Sequence, residues 1–180
     1  MMNPKLLINP FERIAGVQAL VIGFVSIGLA GTLAGHNGAH FPDLIKTLYT
    51  VSNGPFVPVA EIGAAAIALF LLSSVMAFIF KANFRIIDLL GTVSLSRAPY
   101  VLLALGGYLG ATGMPYELWQ AIVLPLIIIC LAWSMILLYH AIRISANLKG
   151  KHLWITFAVT TISTELLMLL FMKKIYLIIL

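Results

Sequence analysis

Five long runs of hydrophobic residues divide the chain, and short polar segments separate them. Each run is about as long as, or longer than, the ~20 residues that a helix needs to cross the hydrocarbon core of a bilayer. The pattern predicts an all-α polytopic membrane protein, a bundle of five transmembrane helices. The predicted spans cover approximately residues 15–34, 56–80, 86–110, 118–142 and 153–172.

Composition supports a membrane location. Of the 180 residues, 62% are hydrophobic and only 9% are charged, against about 25% charged residues in a typical soluble domain. We expect an interfacial segment over residues 1–14, one membrane domain over residues 15–172 and a tail over residues 173–180. A cleaved signal peptide is the alternative for the first run, but its apolar core would be shorter and would start earlier.

Charge placement predicts the orientation of the bundle. The net charge of +5 does not indicate nucleic-acid binding, because the basic residues flank the apolar runs and form no cluster with exposed aromatic residues. Basic residues concentrate on the cytoplasmic side of membrane proteins. The sequence therefore predicts a cytoplasmic N terminus and a non-cytoplasmic C terminus. The side predicted to be cytoplasmic receives Lys5, Arg13, Lys81, Arg85, Arg143, Lys149 and Lys151, and the other side receives Lys46, Lys173 and Lys174.

The third run contains Arg97 near its middle and Pro99 two residues later. An ionised guanidinium at mid-bilayer costs about 2.5–3.5 kcal/mol even on the lenient insertion scale. Arg97 must therefore face other helices, a wet cavity or an acidic partner. Because Pro99 lacks a backbone N–H and clashes with the preceding turn, we expect the helix to bend there.

Glu165 in the fifth run is the first candidate partner for Arg97. Arg97 follows Ile86 by eleven residues and Glu165 follows Leu153 by twelve. Two helices that run in the same direction then place both side chains at nearly the same depth. We expect a buried ion pair, either fixing helix register or contributing to a proton or substrate site. No chain of further titratable groups continues from it, which favours the structural role.

Two other acidic residues lie within the apolar runs. Glu61 is predicted near the non-cytoplasmic end of the second span, where it reaches the interface or lines a cavity with Arg97; the sequence leaves both open. Asp88 is predicted near the cytoplasmic end of the third span. Its side chain either joins a polar cluster with basic residues and His140 or is solvated at the membrane interface, and the sequence favours solvation.

No catalytic constellation, cofactor-binding loop or metal-ligand set emerges from the sequence. His36 and His40 have the spacing of a metal pair on a helix, but Gly35 and Gly38 disfavour that helix and no third ligand is close. We expect these histidines in an exposed loop. Residues 41–51 of the same connection could form a short helix on the membrane surface, and the lone Cys130 cannot form an internal disulfide.

Small residues recur at helix-packing spacings. Gly31 and Gly35 are four residues apart and predict a contact face, either within the bundle or between two copies of the chain. Gly106, Gly107 and Gly110 likewise favour helix packing over a ligand-binding loop.

Three short motifs resemble bacterial members of the Yip (Ypt-interacting-protein) family: NPFERI at 9–14, RIIDLLG at 85–91 and RAP at 97–99. The resemblance implies five spans, a cytoplasmic N terminus and residence in the bacterial inner membrane. Eukaryotic relatives are linked to membrane traffic and Rab-type GTPases. Their long cytoplasmic N-terminal region has no counterpart before the first run here, so the resemblance does not extend to GTPase binding.

Three functions remain from the sequence. The first is a non-enzymatic membrane organiser or scaffold, which contacts the lipid bilayer and binds a membrane-protein partner or further copies of itself, without a cofactor. The alternative is a small transporter or channel subunit that uses Glu61, Arg97 and Glu165. An intramembrane enzyme is the weakest candidate, because no catalytic set is present.

Overall fold

The computed structural model describes residues 8–49 and 54–179, with the backbone alone at 12, 111 and 172–179. A short 3-10 helix (Pro10–Glu12) precedes the membrane domain. The helices are α1 (Gly16–Asn37), α2 (Phe56–Ile79), α3 (Ile86–Leu95), α4 (Tyr100–Ala111), α5 (Tyr116–Ser145) and α6 (Gly150–Ile179), with two short strands, β1 (Ala39–His40) and β2 (Leu48–Tyr49).

The predicted all-α architecture with five membrane-spanning helices is confirmed. α1, α2, α5 and α6 are each long and apolar enough to cross a bilayer, and α3 and α4 together form the third span, Ile86–Gly110. The third span is the most enclosed, because 61% of an 18-residue stretch within it is buried, against 33% or less for the other four spans, so it forms the centre of the bundle. α6 continues through Ile179, beyond the predicted end of the fifth span. The orientation of the termini stays a prediction.

The third span is interrupted where the sequence predicts a bend. Between α3 and α4 the backbone makes bonds from residue i to residue i−3: Arg97 N–H donates to Ser94 O (3.1 Å) and Tyr100 N–H to Arg97 O (3.0 Å). Pro99, at the N-cap of α4, has no N–H to continue the i−4 pattern. The Ser134 hydroxyl of α5 donates to the Ser96 carbonyl at 2.8 Å. The break is therefore a short turn with i to i−3 hydrogen bonds, and a neighbouring helix contacts it.

α1 packs closely on α2 and α3 through glycines. A Cβ on Gly23 would lie 2.7 Å from Leu95 N, and a Cβ on Gly31 would lie 2.6 Å from Val59 Cα. Only glycine permits backbones to approach this closely. Gly35 meets the backbone of Gly54 and Pro55 in the same way. Of the two predicted locations for the Gly31 and Gly35 contact face, the structure shows the one within the bundle.

The connection after α1 folds into the bundle. Residues 38–49, here called the inserted loop, contain β1 and β2, which pair antiparallel with Ala39 opposite Tyr49 and His40 opposite Leu48. Phe41 and Leu44 are completely buried among the helices. The surface helix predicted over residues 41–51 is therefore wrong for the described residues. Burying these two side chains inside the bundle stabilises the loop more than adsorption of a helix on the membrane surface would. Side chains of the helices also form hydrogen bonds with the loop's backbone.

Candidate functional site

Three ionisable side chains of the membrane-spanning helices act on the inserted loop, two directly and one through Tyr100. Glu61 comes from α2, Arg97 from the break in the third span and Glu165 from α6, while the loop supplies His40 and Asp43. Glu61, Arg97, His40 and Asp43 are each at most 3% exposed. The candidate site is thus a set of polar contacts between one loop and three spans.

Glu61 anchors the beginning of the inserted loop. Its Oε2 accepts a hydrogen bond from the Phe41 backbone N–H at 2.6 Å, and its Oε1 lies 3.3 Å from His40 Nδ1. Glu61 lies near the start of α2 and is buried against the inserted loop, and the two locations that the sequence left open, the interface and a cavity with Arg97, stay predictions. Its carboxylate stabilises a backbone N–H that would otherwise be buried without a partner.

Glu165 holds the same loop three residues further along. Its Oε2 accepts a hydrogen bond from the Leu44 backbone N–H at 3.0 Å. The Leu44 carbonyl accepts from the Tyr100 hydroxyl at 2.9 Å, and that hydroxyl accepts from Arg97 Nη1 at 2.9 Å. The peptide groups of Leu44 are thus bound on both sides by transmembrane helices.

The predicted Arg97–Glu165 ion pair is not formed as a direct contact. Among the described residues, the ion pairs of 4.0 Å or less do not include these two. The prediction of a shared region is met, because both side chains bind Leu44, one directly and one through Tyr100. The direct pair was a wrong prediction because the inserted loop occupies the space between the two helices.

Arg97 is fully buried, and its charge is only partly matched by hydrogen bonds. Its guanidinium carbon lies 5.3 Å from the centroid of the Tyr100 ring. Within the described part of the chain, Nε and Nη2 have no hydrogen-bond partner. Among the described residues, Arg97 forms no ion pair of 4.0 Å or less with a carboxylate.

The exposed-loop prediction is wrong for both histidines. His36 is exposed but lies in the last turn of α1, which continues through Gly35 and ends before Gly38, whereas His40 is 3% exposed and lies against Glu61. The exposed-loop prediction failed for His40 because the loop folds inward. The described residues contain no group of three side chains that could hold a metal ion.

Sequence reasoning missed Asp43 and Tyr100. Asp43 Oδ1 accepts hydrogen bonds from the backbone N–H groups of Ile45 and Lys46 and so forms a turn inside the bundle. The Pro42-Asp43 pair is a turn signal that was available in the sequence. Tyr100 carried no such signal, because its hydroxyl acts on a loop 56 residues away.

Tyr49 is the last residue of the inserted loop, and its side chain binds α4. Its hydroxyl donates to the Leu103 carbonyl at 2.9 Å, and burial raises its pKa to about 12. A Cβ on Gly106 would lie 2.8 Å from the Tyr49 hydroxyl oxygen. Gly106 therefore makes room for this side chain, which is a packing role of the kind that the sequence predicted.

Three threonines form a buried row on α6. Thr156, Thr160 and Thr164 are spaced four residues apart, so they lie on one face, and all are 0% exposed. Within the described residues their hydroxyls and that of the buried Ser73 on α2 have no hydrogen-bond partner. Buried hydroxyls in proteins are normally bonded to protein groups or ordered water. This row is a feature that the sequence analysis overlooked, although the spacing was visible.

Asp88 lies far from this site, at the end of the bundle that carries the loops before α1 and after α2 and α5. It is half-buried, and its Oδ1 would lie 3.1 Å from a Cβ on Gly16 at the start of α1. It lines a cavity of about 310 Å³ with Arg85. Of the basic residues predicted to cluster near Asp88, the structure brings Arg85 into this cavity.

A groove on the membrane-facing side of the bundle separates α2 from α6. It has a volume of about 510 Å³ and an almost wholly apolar lining. Two alanines, Ala64 and Ala68, contribute to it from α2. Its larger side chains are Ile67, Leu71, Leu72, Leu167, Met168 and Phe171.

Comparison of the chain with models of protein families, with characterised proteins and with solved structures gives no match. The functional conclusion therefore rests on the contacts described above, and the resemblance to the Yip family stays a prediction.

Proposed function

We propose that this integral membrane protein is a non-enzymatic scaffold that binds a transmembrane helix of a partner protein. The observation that carries the proposal is the use of its intramembrane carboxylates. Glu61 and Glu165 both accept hydrogen bonds from the backbone of the inserted loop. Charged groups inside a membrane normally mark a substrate or ion pathway. Here they satisfy backbone donors for which lipid offers no partner.

Arg97 supports the same assignment. Through Tyr100 it acts on the Leu44 carbonyl, the other half of the peptide segment held by Glu165. The charged side chains thus fix one loop inside the bundle and make it rigid. A rigid bundle suits a protein that works by presenting a surface.

The groove between α2 and α6 is the surface that fits a partner helix. Small residues allow two helix backbones to approach closely in a membrane, and Ala64 and Ala68 lie at this groove. Leu71, Leu167 and Phe171 are more than 40% exposed beside them and provide apolar contact area. A scaffold role also agrees with the Yip-family resemblance, itself a prediction.

Photocrosslinking in native membranes tests the groove. A photoreactive amino acid replaces Leu71 at the groove, or Ile128 on the membrane-facing side of α5 as a control. We expect one protein adduct of defined mass from position 71 and lipid adducts alone from position 128. Ala68→Phe, which fills the groove, should abolish the protein adduct. Ala121→Phe, at an exposed position of α5, is the control and should leave the adduct unchanged. Identical adduct patterns from both positions would contradict the proposal.

A conduit for protons or small ions is the second candidate function. The row of unpartnered hydroxyls on α6 and the two free nitrogens of Arg97 favour it, because such groups bind water. Vesicles containing the purified protein and pH- or ion-sensitive dyes distinguish the two functions. If the protein is a scaffold, vesicles that contain it should be no more permeable than protein-free vesicles. Specific flux that Arg97→Leu or Thr160→Val abolishes would establish the conduit instead.

A further inference from the structure

The cavity beside Asp88 lies where three connections converge at one end of the bundle. Ala15 precedes α1, Asn83 and Arg85 precede α3, and Asn147 follows α5. Ends of membrane-spanning helices lie in the headgroup region of a bilayer. The cavity of about 310 Å³ is therefore placed at the depth of lipid headgroups, and its lining is polar and apolar in about equal parts.

Two opposite charges line this cavity without neutralising each other. Arg85 and Asp88 both contact it, yet the ion pairs found in the described part of the chain do not join them. Arg85 is exposed and Asp88 is half-buried. A ligand that carries both a negative and a positive group matches this arrangement, whereas a simple anion would lie beside the Asp88 carboxylate.

The negative charge that helix starts favour is already supplied at this cavity. Asp88 lies in the first turn of α3, and its Oδ1 would lie 3.1 Å from a Cβ on Gly16 at the start of α1. The guanidinium of Arg85 is therefore the group that suits a phosphate, and the Asp88 carboxylate suits an ammonium.

An apolar wall continues from the cavity toward the membrane. Phe84 and Ile144 line it, and Ile144 and the neighbouring Ile86 are 37% and 67% exposed. A molecule with a charged headgroup and hydrocarbon chains can place its headgroup in the cavity and its chains along these exposed isoleucines. A free phosphate compound would use only the polar part.

We propose that this cavity binds the zwitterionic headgroup of an ethanolamine phospholipid. The phosphate accepts hydrogen bonds from the guanidinium of Arg85. The primary ammonium donates to the Asp88 carboxylate and to the side-chain amide oxygens of Asn83 and Asn147. A choline headgroup fits the charges but has no N–H to donate. The site is independent of the proposed partner groove.

Lipid binding to the delipidated full chain in detergent tests the proposal. The probes are phosphatidylethanolamine, phosphatidylcholine, phosphatidylglycerol, soluble phosphoethanolamine and inorganic phosphate, with native mass spectrometry and thermal stability as readouts. Phosphatidylethanolamine should bind most tightly and raise the melting temperature most. Phosphoethanolamine should compete weakly, because it lacks the hydrocarbon chains. Equal binding of phosphatidylglycerol, or full competition by inorganic phosphate, would overturn the proposal.

Substitutions at Arg85 and Asp88 test which group of the lipid each residue binds. Arg85→Gln should weaken phosphatidylethanolamine binding at least about tenfold, because a hydrogen bond to a charged group is lost. Asp88→Asn should remove the preference for phosphatidylethanolamine over phosphatidylglycerol. Arg143→Gln is the matched control, since Arg143 is exposed at the same end but does not line the cavity. Arg85 is on the surface, so its variant folds even if Asp88→Asn does not. Equal weakening by Arg143→Gln would show general charge attraction and overturn the site.

Discussion

At the scale of single residues, the buried charges act through a loop backbone and a tyrosine. Arg97, Tyr100, Leu44 and Glu165 form a continuous chain of hydrogen bonds across the bundle. Tyr100 is the central member, because its hydroxyl accepts from the guanidinium and donates to a carbonyl. Such networks couple residues that do not touch, and the coupling falls with each intervening group.

Double-mutant cycles on unfolding in detergent measure these couplings. Tyr100→Phe should lower the free energy of unfolding by about 1–3 kcal/mol, because it leaves Leu44 O and Arg97 without a partner. Tyr108→Phe, on the exposed side of α4, should change it little. The coupling energy of Arg97→Leu with Tyr100→Phe should exceed that with Glu165→Leu. The reverse order would indicate a direct Arg97–Glu165 pair and contradict the hydrogen-bond chain.

Sequence identified Glu61, Arg97 and Glu165 as residues of interest because ions are costly in lipid, but it assigned partners from helix depth alone. The similar depths predicted for Arg97 and Glu165 correctly placed the two residues in one region. It could not reveal that Leu44, separated from Glu165 by 121 positions, lies between them. Long-range contacts of a loop depend on tertiary packing, which hydrophobic periodicity does not record.

At the scale of elements, the bundle depends on close approach of α1 to its neighbours. Gly23 and Gly91 bring α1 against α3, and Gly31 brings it against α2. The sequence predicted helices and small-residue contacts well, since both are local patterns. It missed the inserted loop, since Phe41 and Leu44 occur in a segment whose polar residues resemble those of a surface connection.

Leucine substitution on α1 tests the packing. Gly31→Leu should destabilise the bundle strongly, because its Cβ would overlap the backbone of Val59, which cannot move as a side chain can. Gly28→Leu is the matched control, since a Cβ at Gly28 has no atom within 4 Å among the described residues. Thermal unfolding in detergent is the measurement. A comparable loss of melting temperature in both variants would mean that helix propensity, and not packing, explains the effect.

At the scale of the whole molecule, the described helices fit one five-span bundle that has basic residues concentrated at one end. Gly113 lies between α4 and α5, and Lys149 lies between α5 and α6. The single span α5 separates them, so they lie on opposite sides of the membrane. The charge distribution predicts that Lys149 faces the cytoplasm.

Cysteine labelling tests this orientation. With Cys130 replaced by alanine, a cysteine at Gly113 should react with an impermeant thiol reagent from the non-cytoplasmic side, and a cysteine at Lys149 only after the membrane is opened. Asn53 is predicted to label like Gly113, although it lies outside the described residues. Labelling of Lys149 in intact cells would reverse the orientation, and labelling of both sites from one side would contradict the five-span bundle.

Amide hydrogen exchange of the inserted loop in lipid nanodiscs tests the central claim most directly. If Glu61, which is buried, and Glu165, which is half-buried, hold the loop, the amides of Phe41 and Leu44 exchange slowly in the wild-type protein. Glu61→Leu should speed exchange at Phe41, and Glu165→Leu at Leu44, each by roughly 10- to 100-fold, since each removes one charge-assisted hydrogen bond. Glu117→Gln, near the start of α5 and exposed, should alter neither. Fast exchange at both amides in the wild-type protein, or no change in either variant, would contradict the account.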